Sequence, residues 1–324
     1  MAEPSVAEVT PPRFSEVESR VARIDDDARA VDGHPALGDA VWLDLEHPGT
    51  DSAGFLVDDR AYAHISPSDN TAPSDNTAPS DNTAPSDNAT PRHWTLGVAV
   101  APEARIDGTR RALVAAAVRH VAAHGGGRIV LWVLGARAED DAELAAEGLR
   151  PARELYEMRV SLPLTWKPKW PAGVRVRPFE VGRDEAPWLE LNNRAFAGHQ
   201  EQGGWTASTL ARRTAEPWFE PALFLLAFDA DGLVGFNWMK IHAAHDHDPA
   251  LGEIYVIGVD PRAQGTGLGR ALAIAGLRAV HERGIDTGML FCAADNEAAF
   301  ELYRSLGFDV HRVDRAYECE VPPA

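Results

Sequence analysis

The sequence predicts an α/β (α+β) protein built from two tandem copies of one domain, and three observations carry that expectation. The 324 residues suit two domains at roughly 150 residues each. Strand and helix patterns recur in the same order in both halves. The stretch V-D-P-R-A-Q-G-T-G-L-G-R-A-L from Val259 overlays V-A-P-E-A-R-I-D-G-T-R-R-A-L from Val100 without a gap, so that Val259 matches Val100, Pro261 matches Pro102 and Gly267 matches Gly108.

In the first half, apolar runs place strands at 54–57, 61–65 and 94–100. A helix at 109–124, a strand at 128–133, a helix at 139–147 stopped by Gly148 and a strand at 155–162 follow. Four six-residue copies of P-S-D-N-T-A, the last altered to P-S-D-N-A-T, interrupt this order after the second strand. The unit has no large apolar side chain to offset the entropy of ordering it, so 67–91 is expected to be a disordered surface loop. The segment 163–172 carries three prolines and reads as a semi-rigid linker. It separates an N-terminal domain, 1–162, from a C-terminal domain, 173–324.

In the second half, strands are expected at 174–179, 223–228 and 233–242, the last two joined by the turn D-A-D-G, with a helix at 184–196. A strand at 251–259, a helix at 268–283 and a strand at 288–293 come next. The helix at 297–306 is capped by Asp295 or Asn296 and stopped by Gly307. A final strand lies within 310–319.

Composition narrows the function. A net charge of −18 argues against a binder of nucleic-acid backbones, which needs a basic face, and suits a cationic small-molecule substrate. Cys292 and Cys319 are too few for a disulfide framework or a zinc site. No apolar run reaches the ~18 residues of a membrane span, and no targeting segment is expected, which leaves a cytoplasmic location. His242-Ala-Ala-His-Asp-His-Asp248 has metal-like spacing but bridges two strands, and reads as a solvated hairpin loop rather than a metal site. Arg110-Arg111 and Arg212-Arg213 read as solvated faces.

The chemistry concentrates around the strand L-G-E-I-Y-V-I-G-V. It breaks at Asp260-Pro261 into a turn holding Gly265, Gly267 and Gly269, followed at once by an alanine- and leucine-rich helix. Glycines let backbone N–H groups approach a ligand, and the helix N-terminus adds a positive dipole end, so the turn is a candidate pyrophosphate cradle. A P-loop would need Lys-Ser/Thr after its last glycine, where Arg270-Ala271 stand. A dinucleotide fold would want an acid about 20 residues on, at the end of the next strand, and here that strand only begins there. Glu253 is the only acid in its strand, where an unpaired carboxylate is costly, and it is a candidate base for an amine.

Strand, Q/R-x-x-G-x-G/A, helix resembles the acyl-CoA site of GCN5-related N-acetyltransferases. Asn296 to Phe308, N-E-A-A-F-E-L-Y-R-S-L-G-F, resembles that family's N-x-x-A-x-x-x-Y-x-x-x-G-F helix. The resemblance implies a mixed, mostly antiparallel sheet flanked by helices in each half, with acetyl-CoA as acyl donor. It implies contacts to the donor from Ile257, Gly258 and Val259, from Gln264, Gly265, Thr266, Gly267, Leu268, Gly269 and Arg270, and from Asn296, Glu297, Ala298, Ala299, Phe300 and Glu301. Tyr303 is then the acid that protonates the departing thiolate, and Glu253 the base.

Three further stretches, from Asn192 (N-N-R-A-F-A-G-H-Q-E-Q-G-G-W), Gly235 (G-F-N-W-M-K-I-H) and Leu251 (L-G-E-I-Y-V-I-G-V-D-P), resemble the mycothiol synthase family. That family has two such domains and acetylates the cysteinyl amine of a cysteine–glucosamine–inositol conjugate. The likeness is close over 173–320 and loose over 13–162. It implies substrate contacts from Glu253, Glu201, Lys240 and Phe291, the last standing where the family has tyrosine. It also implies one from Asp39, where the family has glutamate, and places Val98, Ala99 and Val100 on the first domain's own acetyl-CoA strand. The E-Q-G-G-W segment suggests a folded lid. In the overlay of the two halves Glu253 falls on Trp94, Tyr303 on Leu144, Asn296 on Arg137, Gly265 on Ile106 and Gly269 on Arg110. The first copy is therefore expected to be structural. A monomer acting on a small-molecule amine, without metal, membrane or nucleic-acid partner, is the resulting expectation. An acetyltransferase for another amine, such as an aminoglycoside or a protein N-terminus, and a non-catalytic acyl-CoA sensor remain as alternatives.

Overall fold

The structure, a computed structural model, describes residues 4–67, 92–105, 108–197, 204–244 and 248–324, without the side chain of Asp39. Apart from Pro67, the repeat expected at 67–91 lies outside these residues. The chain divides into two compact units, Met1–Leu155 with Arg312–Ala324, and Tyr156–His311.

The first unit contains β1 (Ala7–Val9), α1 (Phe14–Asp32), α2 (Asp39–Glu46), β2 (Ala53–Val57), β3 (Ala61–Pro67), β4 (His93–Val100), α3 (Thr109–Ala123), β5 (Gly127–Val133) and α4 (Ala138–Ala145). Strands β1 to β4 pair antiparallel in order, while β4 and β5 run parallel. Leu113, Val114, Ala117 and Val121 of α3 pack on one face of this sheet with Phe55, Ile65 and Leu96. Phe14, Val17, Val21 and Ile24 of α1 and Val41 and Leu45 of α2 cover the other, against Leu56, Tyr62 and Ala99. Neither α1 nor α2 was expected. The spacing of the apolar residues in α1 is helical, but the acidic run Asp25-Asp26-Asp27 interrupts it. Asp25 is nevertheless buried, its Oδ1 accepting the N–H groups of Ala36 and Leu37 at 2.8 and 2.9 Å.

The strand β6 (Arg150–Ser161) leads into the second unit, which holds β7 (Arg175–Pro178), α5 (Glu185–Ala195), α6 (Ala207–Thr214), β8 (Phe224–Asp229), β9 (Gly232–His242), β10 (Leu251–Val259), α7 (Leu268–His281), β11 (Thr287–Ala293) and α8 (Glu297–Ser305). Its sheet order is β7-β8-β9-β10-β11, with β6 bordering β11. Again only β10 and β11 run parallel among the central strands. Helix α6 was also not expected. The last strand, β12 (Asp309–Val321), returns to the first unit, where Arg315–Val321 pair antiparallel with β5. A cut in the proline-rich linker would leave that strand with the second half.

Helix α7 lies close on the sheet because the residues beneath it are small. A Cβ on Gly252 would meet Val280 Cγ2 at 2.5 Å, and one on Gly276 would meet Met239 Sδ at 2.6 Å. Leu272, Ile274, Leu277 and Val280 are thereby buried, each contributing roughly 1.5–3 kcal/mol of apolar transfer. The opposite face is covered by α5 and α6 through an aromatic cluster of Trp188, Trp205, Phe224, Phe236 and Trp238.

Candidate active site

The site forms where two parallel strands separate. β10 pairs with β11 only over Leu251–Glu253 against Thr287–Met289, while β9 stays bound to β10 as far as Val259. Beyond Glu253 the β11 side of β10 carries no strand pairing among the described residues, and backbone groups there can bond an extended, amide-bearing ligand. A bulge between Ile254 and Val256 bends the strand, placing both Tyr255 and Val256 in the aromatic cluster.

Glu253 ends the paired stretch. Gly252 and Gly288 face α7, so by strand alternation Glu253 and Met289 point to the other face. The Glu253 side chain is 6% exposed, and His242 Nε2 lies 2.7 Å from its Oε2. Lys240, directly opposite Glu253 in the β9–β10 register, is buried, with its Nζ 5.0 Å from the Trp218 ring centre and 5.8 Å from that of Tyr255. Burial pulls the Lys240 ammonium below its usual range, and Glu253 opposes that shift.

The glycine turn lies at the far end of β10. Gly265 and Gly267 have φ of 75° and 85°, the left-handed region that glycine adopts without strain, and Gly267 is the N-cap of α7. No atom lies within 4 Å of where a Cβ on either would stand, so these glycines answer a backbone need and leave open space in front of the helix N-terminus. Asp260 fixes the turn from beneath. Burial favours its neutral form, but the Arg262 N–H at 3.0 Å and the Arg194 guanidinium at 2.7 Å outweigh this and hold the carboxyl below its usual range. Arg270 reaches Ser305 and lies 5.2 Å over the ring of the exposed Trp166. The edge of β10 and the turn suit, respectively, the amide arm and the pyrophosphate of an acyl-CoA.

Tyr303, on α8, is buried on the α7 face of the sheet with Leu290 and Cys292 of β11. Burial, with Cys292 beside it, raises its phenol above the ordinary value. Asn296 is the α8 N-cap, its side chain accepting the Ala299 N–H at 3.1 Å. Glu297, Ala298 and Glu301 are exposed on the same helix, and Phe300 packs edge-on to Tyr156 at 5.5 Å. Phe291 is half-buried on β11, on the Met289 face. Glu201 lies outside the described residues, as does most of the E-Q-G-G-W segment. Asp39 opens α2 in the other unit.

Two expectations need correction. His242 ends β9, as the strand expected at 233–242 has it, but pairs with Glu253 instead of belonging to a solvated hairpin loop, and residues 245–247 of that stretch lie outside the described residues. Asp248, at the other end of that connection, is bonded twice by Arg159, at 2.6 and 3.1 Å. The motif G-F-N-W-M-K-I-H held the signal: His242 and Lys240 share a strand face two residues apart, and that face is the one Glu253 occupies. Arg110 is likewise not on a solvated face, since it is bonded to Asp140 and lies 3.5 Å from Glu143. Among the described residues no group of three or more acidic, histidine or cysteine side chains could hold a metal ion.

The first unit repeats the frame. β4 and β5 pair only from His93–Leu96 to Arg128–Leu131, and Gly108, with φ of 78°, is the N-cap of α3. Trp94 and Leu144, which overlay Glu253 and Tyr303, are buried apolar side chains. Val98, Ala99 and Val100 lie on β4 beyond its pairing with β5, but the Val100 carbonyl accepts from Arg105 Nε at 3.2 Å.

A strand pair that separates above a glycine turn, with a buried carboxylate on one face and a buried phenol on the other, defines an acyl-CoA-dependent transferase. Residues 187–308 match the family model described as the acetyltransferase (GNAT) family. Over the whole chain, a GCN5-related N-acetyltransferase from Sphaerobacter thermophilus superposes with a TM-score of 0.69 at 20% identity, covering 98% of this chain and 96% of that one. A tandem GNAT protein from the clavulanic acid biosynthesis pathway gives 0.67 at 17% identity, covering 99% and 100%. The mycothiol acetyltransferase of Thermobispora bispora is 41% identical over 298 residues, 90% of this chain and 92% of that protein. That of Mycobacterium marinum is 44% identical over 245 residues, 70% and 74% of the two chains. The chain belongs to the mycothiol acetyltransferase family and is an acetyltransferase of the GNAT fold.

Proposed function

We propose that the second unit transfers the acetyl group of acetyl-CoA to the cysteinyl amine of a cysteine–glucosamine–inositol conjugate, desacetylmycothiol, giving mycothiol by direct attack. The observation that carries this reading is the buried Glu253 at the last paired residue before β10 and β11 part. Its carboxylate takes a proton from the substrate ammonium. The freed amine attacks the thioester carbonyl, forming the C–N bond as the C–S bond breaks, and the nitrogen releases its surplus proton to solvent to give the neutral amide. Tyr303, which burial keeps protonated, donates its hydroxyl proton to the departing sulfur and regains one from solvent.

The acyl donor is held by Ile257, Gly258 and Val259, by Gln264 to Arg270, and by the α8 start from Asn296 to Glu301. Lys240 and Phe291, on the Glu253 face of the sheet, line the amine side; Glu201, outside the described residues, is assigned to the substrate on the family resemblance alone. The choice of amine is supported by the relatives named mycothiol acetyltransferase. The first unit is a degenerate copy without base or acid.

Release of free CoA thiol from acetyl-CoA, measured with and without desacetylmycothiol, tests the reading. Glu253→Gln should lower turnover by about 10²–10⁴-fold, the usual contribution of a positioned base. Wild-type turnover in that variant would remove Glu253 from the role, and release only with another amine would overturn the substrate.

A further inference from the structure

We propose that His242 is the positioning partner of Glu253 and makes the acceptor side of the site active only when its imidazole is neutral. The inference rests on Glu253 acting as base and concerns how that base is held. His242 Nε2 stands 2.7 Å from Glu253 Oε2, from a side chain 33% exposed to one 6% exposed. With Glu253 ionised, Nε2 must be the donor, because a carboxylate only accepts. That bond fixes one oxygen of the carboxylate and leaves Oε1 to receive the ammonium proton. The imidazole is the more exposed of the two side chains.

The surroundings make the charge of His242 matter. On β9, Lys240 already places an ammonium opposite Glu253. Tyr255 of β10 lies beside Lys240 and within the field of Arg213 and Glu216. On β6, Val160 packs where a Cβ on Gly288 would stand, and just past the strand's end Leu162 N–H bonds Asp286 O at 2.9 Å. Both contacts fit one antiparallel register, which sets Arg159 beside Met289 and so in the same cross-sheet row as Glu253 and Lys240. Arg159 is itself bonded by Glu157 at 2.6 Å and by Asp248. Among the described residues Glu253 is bonded by His242 and stands opposite Lys240. A protonated His242 adds a second cation against one carboxylate. It weakens that carboxylate as a base and repels an incoming ammonium. The neutral imidazole keeps the hydrogen bond and removes the repulsion.

The test is the pH profile of kcat/KM for the wild type, His242→Gln and His242→Ala. Glutamine offers an N–H that does not titrate. His242→Gln is expected to keep turnover within about tenfold of wild type at neutral pH while its acid limb moves down by at least about one pH unit. His242→Ala is expected to lose about 10–100-fold, the range for removing a partner that orients a functional side chain. An acid limb in the wild-type place in His242→Gln, with only the amplitude changed, would overturn the proposal. The NMR titration of His242 in the wild type and in Glu253→Gln separates the two readings. A pKa that falls when the carboxylate is removed confirms the pair whether or not Glu253 is the base. An unchanged value refutes the pair itself.

Discussion

Replacing Tyr303 by phenylalanine separates chemistry from packing. The ring belongs to the α7-side core, 5.7 Å from Phe308 between ring centres, and no described residue bonds its hydroxyl. Removing a hydroxyl that bonds no described residue, and is not among the buried polar atoms left without a partner, deletes no hydrogen bond within the fold, so stability should change by less than about 1 kcal/mol. For a unit of this size that corresponds to a Tm within about 4 °C of wild type. Turnover should move the other way. A general acid contributes about 10²–10⁴-fold, or about 3–5 kcal/mol of barrier. Thiol release from acetyl-CoA and thermal unfolding, run on the same preparation, read both effects. Turnover within threefold of wild type would dismiss Tyr303 as the acid. A fall in Tm of more than about 4 °C together with lost activity would mean that the hydroxyl supports the fold.

Three other perturbations test separate parts of the argument. Gly267→Ala forces a side chain into φ of 85° at the α7 N-cap, costing about 1–2 kcal/mol in Tm measurements, and should raise KM for acetyl-CoA more than it lowers kcat. Gly269→Arg writes the first unit's residue into the second. A Cβ there meets only Val259 Cγ2 at an ordinary 3.5 Å, so Tm should hold while acetyl-CoA affinity by calorimetry falls at least about tenfold. Asp184 is held below the ordinary aspartate value of 3.8, first by Arg177 and then by the Glu180 N–H at 2.8 Å. Its contribution is present above 3.8 and is lost as pH falls through the lower folded value, so Asp184→Asn should flatten the acid limb of a Tm-against-pH curve and cost on the order of 2 kcal/mol near neutrality.

The second half was legible because each element carried its own signal. The strand at 251–259 matches β10 residue for residue, and Asn296 and Gly307 bracket α8 as cap and stop. Helices α1, α2 and α6 escaped because charged residues interrupt their apolar periodicity, and only the sheet beneath reveals the buried stripe. The path of β12 was illegible for another reason. Strand propensity says that a stretch within 310–319 is extended, but not which strand it will pair with, and its partner β5 lies almost two hundred residues earlier. Of the candidate site, Glu253 stood out as the only acid in its strand, while Lys240 and Tyr303 were picked out by the family resemblance. His242 did not stand out, because the bond to Glu253 exists only once the β9–β10 register places the two side chains diagonally on one face.

The two copies show which features of a duplicated domain serve the backbone and which serve the ligand. Gly108 and Gly267 both cap their helices in the left-handed region, and Arg137 and Asn296 both stand at the N-cap of the following helix. These features persist because the chain's own geometry needs them. The ligand-facing features differ. Where Gly269 leaves the first turn of α7 bare, Arg110 crosses to Asp140 and Glu143. Where the second copy has no residue bonding the Val259 carbonyl from the turn, Arg105 bonds that of Val100 and forms a two-point ion pair with Asp32 at 2.7 and 2.8 Å. A pyrophosphate approaching α3 would meet the helix dipole it needs, but also two carboxylates already bonded to the nearest cation. Restoring a glycine at 110 would remove that cation and leave the carboxylates behind. On the proposed reading of the first unit as a degenerate copy, a glycine at 110 alone should not restore acetyl-CoA binding there, because Asp140 and Glu143 would stay behind as unpaired charges, and changing all three together should.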